Sequence, residues 1–426
     1  MLKVVKACCS EGMRDNLRFL FSYFRQKQQR TFSVLRILFS GMFVRNSLRS
    51  FAYIKNLNRQ PFIDSLGGSS RVEFLQVKLP NKNIGISSTL SATPEIFGRP
   101  KIWFDQKKPN WTKKSFVSVA ENLYLTPEGQ IFDQKLRSVN CLWNRRDYRY
   151  LQLLDKVRNG IDLDWANNLA KLKAYDQLLC ISQSTSSVYG HFLVELLPRF
   201  WLAKKNGYAN LPIYTNLDHE VYSEIFSLLG VDKEQLINAN LQGAVLAKEV
   251  VVPVYHHASE CAMPSFGIEV IHEVKKKALL KSKGLKKSSK RIFVCKKDTD
   301  NRKINNQVEV ENILIDYGFE AVIPSDFSFC EQVELFASAE FVVGEHGSGM
   351  FNAVFCNSSA VVIDLFPGCV NTGLYRVLHS LGITYKAMLS PENSFVAWKN
   401  NRSFSINIPL FKDMLQKTGF EAQNNS

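Results

Sequence analysis

Beyond residue 290 the chain alternates short apolar runs with helix-length segments, and this rhythm constrains its fold more than any other feature. Residues 291–295, 321–324, 341–344 and 360–365 have the length and β-branched content of buried strands. Residues 306–317, 330–338, 349–355 and 372–381 lie between and after them and read as helices. Continuous apolar strands, each followed by a helix, predict a parallel sheet covered on both faces. A looser version of the same rhythm runs upstream, with strands at 177–182, 211–215 and 249–253 and helices at 191–205, 220–229 and 267–281. Pro198 falls inside the first of those helices. The two blocks meet at residues 281–290 (KSKGLKKSSK), a charged stretch with Gly and Ser and no apolar pattern, which reads as a linker. The expectation is an α/β protein with two Rossmann-like domains facing a cleft.

The chain has 426 residues, enough for two or three domains at about 150 residues each. Residues 64–70 (DSLGGSS) read as a second linker, and residues 72–140 as short strands separated by turns at Pro80, Gly85, Pro94, Gly98, Pro100, Pro109 and Pro127. A basic helical stretch is expected at 148–173. The expected units are a basic amphipathic helical arm (1–65), a first Rossmann-like domain with a strand-rich beginning (66–285) and a second (286–426).

There are 54 Lys and Arg against 39 Asp and Glu, a net charge of +15, and the excess is uneven. Up to Arg59 the chain carries twelve cations against Glu11 and Asp15, interleaved with Phe and Leu at three- and four-residue spacing. A basic helix of this kind can lie in the headgroup region of an anionic bilayer, or pack on its own domain with the cations solvated. No nucleic-acid-binding motif accompanies the charge, so nucleic acid is not the expected partner. No apolar run reaches about 18 residues, so no transmembrane helix is expected, and the start lacks the pattern of a secretory signal. The nine scattered cysteines include no C-x-x-C pair and read as free thiols in a reducing compartment. The expected setting is the cytoplasm, with residues 1–59 bringing the chain to the inner face of a membrane.

Three stretches carry chemistry. In FVVGEHGSGMFNAVFCNSSAVVIDLFP (341–367) an apolar strand turns through Glu345, His346, Gly347, Ser348 and Gly349 into a helix. Ligands of open parallel sheets bind beyond the carboxyl ends of strands. Gly347 and Gly349 would let backbone approach a phosphate at the next helix start, or would serve a tight turn alone. In SSVYGHFLVELLPRFWL (186–202) His191 and Glu195 stand four apart at a strand-to-helix junction. The helix dipole disfavours the cationic imidazole, so His191 can act as a base or simply cap the turn. A His-x-x-x-Glu metal site would need a third ligand, and none is in view. In KRIFVCKKDTDNR (290–302) Lys296 and Lys297 follow an apolar strand and would bind a diphosphate or form a solvated charge run.

These stretches occur in a telling order. YGHF-x4-LPR is followed by RIFV-x3-D, then a helix ending YGFE. Next come F-x-x-QVELFASAEFVVG-x-HG-x-G-x-x-N and VVIDLFP. Over roughly residues 175–389 this order resembles glycosyltransferase family 61, which includes capsular-polysaccharide-type enzymes of bacteria and protein- or xylan-modifying transferases of eukaryotes. The resemblance implies a GT-B architecture with the nucleotide held mostly by the second domain. It further implies an inverting transfer from a nucleotide sugar to a glycan or lipid-linked acceptor, without a cofactor or essential metal. The motif positions it marks are Tyr189, Gly190, His191, Pro198 and Arg199 on the acceptor side. On the donor side they are Arg291, Glu345, His346, Gly347, Gly349 and Asn352. Two departures stand out: Cys295-Lys296-Lys297 replaces the family's basic-hydroxyl-arginine run, and Glu345 replaces a small residue.

The expected activity is therefore an inverting glycosyltransferase of capsular or cell-surface polysaccharide synthesis. His191 is the expected base, with Glu195 orienting it or itself the base. Lys296, Lys297 and the His346 turn are expected to hold the donor, and Asp364 is expected to be structural. The alternatives are a nucleotide-sugar epimerase of the same architecture and a non-catalytic scaffold of polysaccharide assembly.

Overall fold

A computed structural model of the chain describes residues 115–127, 129, 131–132, 134, 168–183, 188–217, 219–255, 263–282, 284, 290–296, 303–366, 373–389 and 403–420, and the backbone of Val72–Leu75 and Glu95–Phe97. The strands, in chain order, are β1 (Val72–Leu75), β2 (Glu95–Phe97), β3 (Phe116–Leu125), β4 (Ile131–Phe132), β5 (Lys173–Cys180), β6 (Ile213–Thr215), β7 (Leu236–Asn238), β8 (Val245–Val254), β9 (Arg291–Val294), β10 (Glu320–Val322), β11 (Phe341–Glu345), β12 (Val361–Phe366) and β13 (Thr384–Leu389). They form two sheets. The first has the order β1-β3-β8-β5-β6-β7 with β4 beside β3. It is parallel from β8 through β5 and β6 to β7 and antiparallel where β3 meets β8, β1 and β4. The second has the order β10-β9-β11-β12-β13-β2 and is parallel throughout.

The regular alternation beyond residue 290 becomes the parallel second sheet because its strands bury both faces. Along β11 and β12, Val342 and Val362 enter one apolar cluster while Val343 and Ile363 enter another on the opposite face. Residues of a strand point alternately to the two sides, so a run buried on both must be apolar throughout. The first cluster is shared by the two sheets. It joins Phe192, Phe200, Phe226 and Val270 to Val294, Val333, Phe336 and Val342. Helix Ser265–Lys281 packs against both Leu197–Lys205 and Phe329–Ser338. Lys275 of that helix donates hydrogen bonds to the Cys356 carbonyl at 3.2 Å and to Asn357 Oδ1 at 2.8 Å. Full burial of one such aromatic or aliphatic side chain contributes roughly 1.5–3 kcal/mol, so the two blocks are held together by packing as well as by the connection at 281–290.

Local signals account for the helix ends. Ser328 accepts from the Glu331 N–H while the Glu331 carboxylate accepts from the Ser328 N–H at 2.9 Å, a reciprocal cap that starts Phe329–Ser338. Asn407 caps Ile408–Lys417 in the same way, accepting from Leu410 N at 3.0 Å. The helix expected at 191–205 is composite: an α turn at Tyr189–His191, a π-helical segment at Phe192–Leu196 and an α-helix at Leu197–Lys205. Pro198 stands in the first turn of the last segment, where its missing N–H and its ring are tolerated.

Several expectations shift. Residues 349–355 lie in a 3₁₀ helix, Ser348–Phe355, in place of an α-helix. Strand β2 belongs to the stretch expected in the first unit, yet it pairs in parallel with β13 of the second sheet. The basic helix expected at 148–173 ends in a 3₁₀ turn, Leu169–Lys171, with Lys173 already opening β5; residues 148–167 lie outside the described residues. The arm expected at 1–65 also lies outside them. Among the described residues no helix is long and apolar enough to cross a membrane.

Candidate active site

The carboxyl ends of β9, β11 and β12 lie side by side, with Gly344 opposite both Val294 and Asp364. A Cβ on Gly344 would sit 2.2 Å from Met350 Sδ and 2.9 Å from Val294 Cβ. Glycine there lets the 3₁₀ helix descend onto the strand end, which places His346 between the two. The His346 N–H bonds the Leu365 carbonyl at 2.9 Å, its ring stacks on Phe366 at 4.1 Å, and its Nδ1 lies 2.9 Å from Asp364 Oδ2. Tyr385 donates to the same Asp364 oxygen at 3.0 Å. Asp364 is fully buried, and its Oδ1 has no hydrogen-bond partner among the described residues. A carboxylate can only accept, so Nδ1 of His346 carries the proton and Nε2 is turned to other work. Asp364 is thus more than the closing residue of an apolar strand: it fixes the imidazole.

Lys296, just past β9, donates its ammonium hydrogen to the His346 carbonyl and so reaches the same edge. Glu345 sits there too, but as the neighbour of His346 on an extended strand it points to the opposite side. It is 1% exposed, and neither carboxylate oxygen has a hydrogen-bond partner among the described residues. Burial pushes its carboxyl up to about 7, against the pull of the Lys296 and Lys303 charges and of the Lys296 and Ile304 backbone N–H groups.

The first sheet contributes a second histidine–carboxylate pair. His191 Nδ1 lies 2.7 Å from Glu195 Oε1, and Glu195 is 1% exposed while the His191 side chain is 32% exposed. Glu195 Oε2 accepts from Gln183 Nε2 at 2.5 Å, and Gln183 Oε1 accepts from Arg199 at 2.5 Å. A second Arg199 nitrogen donates to the Tyr255 carbonyl at 3.4 Å. The pair sits where the α turn gives way to the π-helical segment, and such wide turns recur at functional sites. Both Glu195 oxygens are engaged with protein groups, and through Oε1 Glu195 holds the His191 ring.

The two pairs are carried by elements in contact. The Tyr189 hydroxyl donates to Asn352 Oδ1 at 2.5 Å, and Asn352 Nδ2 donates to Gln332 Oε1 at 3.0 Å. A Cβ on Gly190 would come within 2.7 Å of the Phe351 ring, so glycine at 190 is what permits the approach.

Not every motif residue reaches this place. Arg291 opens β9 at the opposite, amino-terminal edge of the sheet. There it donates to the Tyr317 carbonyl at 2.6 Å and lies over the rings of Phe341 and Phe420. These contacts set Arg291 apart from the strand ends that carry His346 and Lys296. Asn352 is buried with its amide bonded to Tyr189 and Gln332, so it ties elements together. Arg199 is buried and joined to Glu195 through Gln183. Gly347 has extended backbone (φ 168°), and a Cβ on Gly349 would make only ordinary contacts at 3.6 Å with Pro324 and Val294. Neither glycine is imposed by left-handed geometry. Lys297 lies outside the described residues. Sequence reasoning missed Gln183, Gln332 and Tyr385, whose partners are 12 to 21 residues away in the chain. No local spacing announces such contacts. No group of three His, Cys, Asp or Glu side chains able to hold a metal ion occurs among the described residues, and the His191–Glu195 pair gains no third ligand there.

Comparison with known proteins agrees with this arrangement. Residues 189–363 match the family model Glycosyltransferase 61, so the family resemblance of the motif order is borne out over a span that holds His191, Glu195 and His346 and ends one residue before Asp364. A stretch of 105 residues is 31% identical to the protein O-linked-mannose beta-1,4-N-acetylglucosaminyltransferase 2 of Mus musculus, over 24% of this chain and 17% of that protein. The chain thus spans about a sixth of the length of the curated relative it matches.

Proposed function

We propose that the protein is an inverting glycosyltransferase that moves a sugar from a nucleotide sugar to a glycan hydroxyl. The observation that carries this is the contact between the helical turn that carries His191 and the 3₁₀ helix that follows His346, each bearing or adjoining a histidine–carboxylate pair. One is partly exposed and polarised as a base; the other stands at a strand end beside a lysine. His191 Nε2 takes the proton from the acceptor hydroxyl as its oxygen bonds to the anomeric carbon. The bond from that carbon to the diphosphate oxygen breaks on the opposite face, and the nucleoside diphosphate leaves with the electron pair. Lys296, His346 and the N–H groups opening Ser348–Phe355 offset the charge that develops there. The whole is read as a GT-B arrangement, with the donor on the second sheet and the acceptor on the first. Thermal-shift screening against nucleoside diphosphates and nucleotide sugars, followed by mass analysis of product, tests this. Nucleotide-linked N-acetylglucosamine leads the panel because of the relative's name. Conversion of the sugar without acceptor would instead indicate an epimerase, and absence of nucleotide binding would overturn the reading.

The acceptor setting proposed is a capsular or cell-surface polysaccharide, assembled at the inner face of a membrane. The twelve cations and interleaved Phe and Leu of residues 1–59 support it, since anionic lipid attracts such segments by about 1 kcal/mol per basic residue. Co-sedimentation with anionic vesicles, compared between the full chain and a chain starting near Asp64, tests this part. Equal pelleting of the two would remove it.

A further inference from the structure

The buried chain of polar groups behind His191 has a direction, and that direction is set at its far end. Arg199 is 3% exposed and its guanidinium can only donate. The Gln183 atom that meets it at 2.5 Å must therefore be the carbonyl oxygen Oε1. This leaves Gln183 Nε2, a donor, to meet Glu195 Oε2 at 2.5 Å. Glu195 Oε1 then meets His191 Nδ1 at 2.7 Å, and an ionised carboxylate can only accept, so Nδ1 must carry the hydrogen. In the neutral ring Nε2 is consequently the lone-pair nitrogen. With Glu195 ionised, each step follows from which atoms can donate.

We propose that Gln183 is a positioning residue for His191: it passes the fixed donor polarity of Arg199 to Glu195 and thereby holds the imidazole in the tautomer whose Nε2 accepts a proton. This rests on the transferase reading for its catalytic consequence, but the tautomer itself does not. Gln183 lies three residues past the end of β5, is 7% exposed, and lies outside the matched family span of 189–363. The amide does what a lysine or a second carboxylate there could not. It bridges a cation and an anion without adding charge, so the Arg199 charge balances Glu195 at one remove while the Glu195 carboxylate remains free to accept from His191. A direct Arg199–Glu195 ion pair would compete for the oxygen that orients the ring.

The test uses the full chain labelled with ¹⁵N-histidine, with the His191 signals assigned by their loss in His191→Gln. The wild type is expected to show Nδ1–H and an unprotonated Nε2 at neutral pH. Gln183→Met keeps the volume but has no amide, and is expected to show a mixture of tautomers. In the transfer reaction its kcat is expected to fall roughly 10–100-fold, a part of the 10²–10⁴ a base contributes, with donor KM little changed. Should Gln183→Met not fold, Gln183→Asn retains an amide too short to span both partners and serves the same comparison. An unchanged tautomer in the folded variant, or a wild type already in the Nε2–H form, overturns the proposal. If the wild type transfers no sugar from any donor in the panel, the functional reading fails, while the ring signals still decide the role of Gln183.

Discussion

Tyr189, in the same helix turn as His191, donates its hydroxyl hydrogen to Asn352 Oδ1 at 2.5 Å. Burial holds the Tyr189 hydroxyl well above the usual phenol range, so it remains a donor wherever the protein is folded. Asn352 is 1% exposed and has spent its other end on Gln332. The first and second halves of the site are thus registered to each other by one buried side-chain bond.

Removing that bond leaves the Asn352 oxygen buried and unpaired. Tyr189→Phe is expected to cost about 1–3 kcal/mol of stability, read by chemical denaturation, because the desolvated acceptor has no replacement partner. It is also expected to reduce turnover, because the registration of His191 against the second sheet loosens. A variant as stable as the parent would show that the seam is fixed by apolar packing alone.

The glycines separate by what surrounds them. Gly344→Ala must displace Met350 and Val294 and is expected to destabilise strongly, in the range of about 1–3 kcal/mol for an overpacked core. Gly190→Ala meets the Phe351 ring, and partial rescue by Phe351→Leu is expected in the double variant. Gly349→Ala should fold normally, since its new carbon would have neighbours only at 3.6 Å. Any loss in Gly349→Val should therefore appear in nucleotide affinity and not in melting temperature. The reverse pattern, a stable Gly344→Ala beside an unstable Gly349→Ala, would contradict the packing described.

His191 is partly exposed and meets Glu195 through Nδ1, and its removal is expected to spare the fold. His191→Ala is expected to lower kcat by roughly 10²–10⁴ with nucleotide affinity nearly intact. Near-normal turnover would remove His191 from the base role, and unfolding would make it a structural cap.

The parallel second sheet was legible in advance because strands buried on two faces leave continuous apolar runs such as FVVG and VVID. The pairing of His191 with Glu195 was legible for a similar reason: both lie on one helical segment, four residues apart. What could not be read is whatever depends on contacts between distant segments. Strand β13 (TYKAML) carries a lysine and is recognisable only once β12 lies beside it. The resemblance marks Arg291 on the donor side, but its position in the motif says nothing of which end of the strand it occupies. Asp364 looked structural because the histidine it fixes is 18 residues away.

Glu345 gives a prediction in pH. Its carboxyl, displaced upward to about 7 by burial, is neutral in the folded protein over a range where the unfolded chain already ionises it, from its ordinary value of 4.5 upward. A raised folded value means the stabilising effect is complete below about 4.5 and is lost as pH climbs through about 7. Ionisation then places a charge inside the sheet, offset in part by the Lys296 and Lys303 cations and the Lys296 and Ile304 backbone N–H groups. Glu345→Gln, which cannot ionise, is therefore expected to be about as stable as the parent at pH 5 and more stable at pH 8, by up to roughly 2–3 kcal/mol. Denaturant midpoints at the two pH values measure this directly. A variant less stable than the parent at pH 8 would mean that the ionised carboxylate is held by partners, and that Glu345 contributes to the fold as an anion.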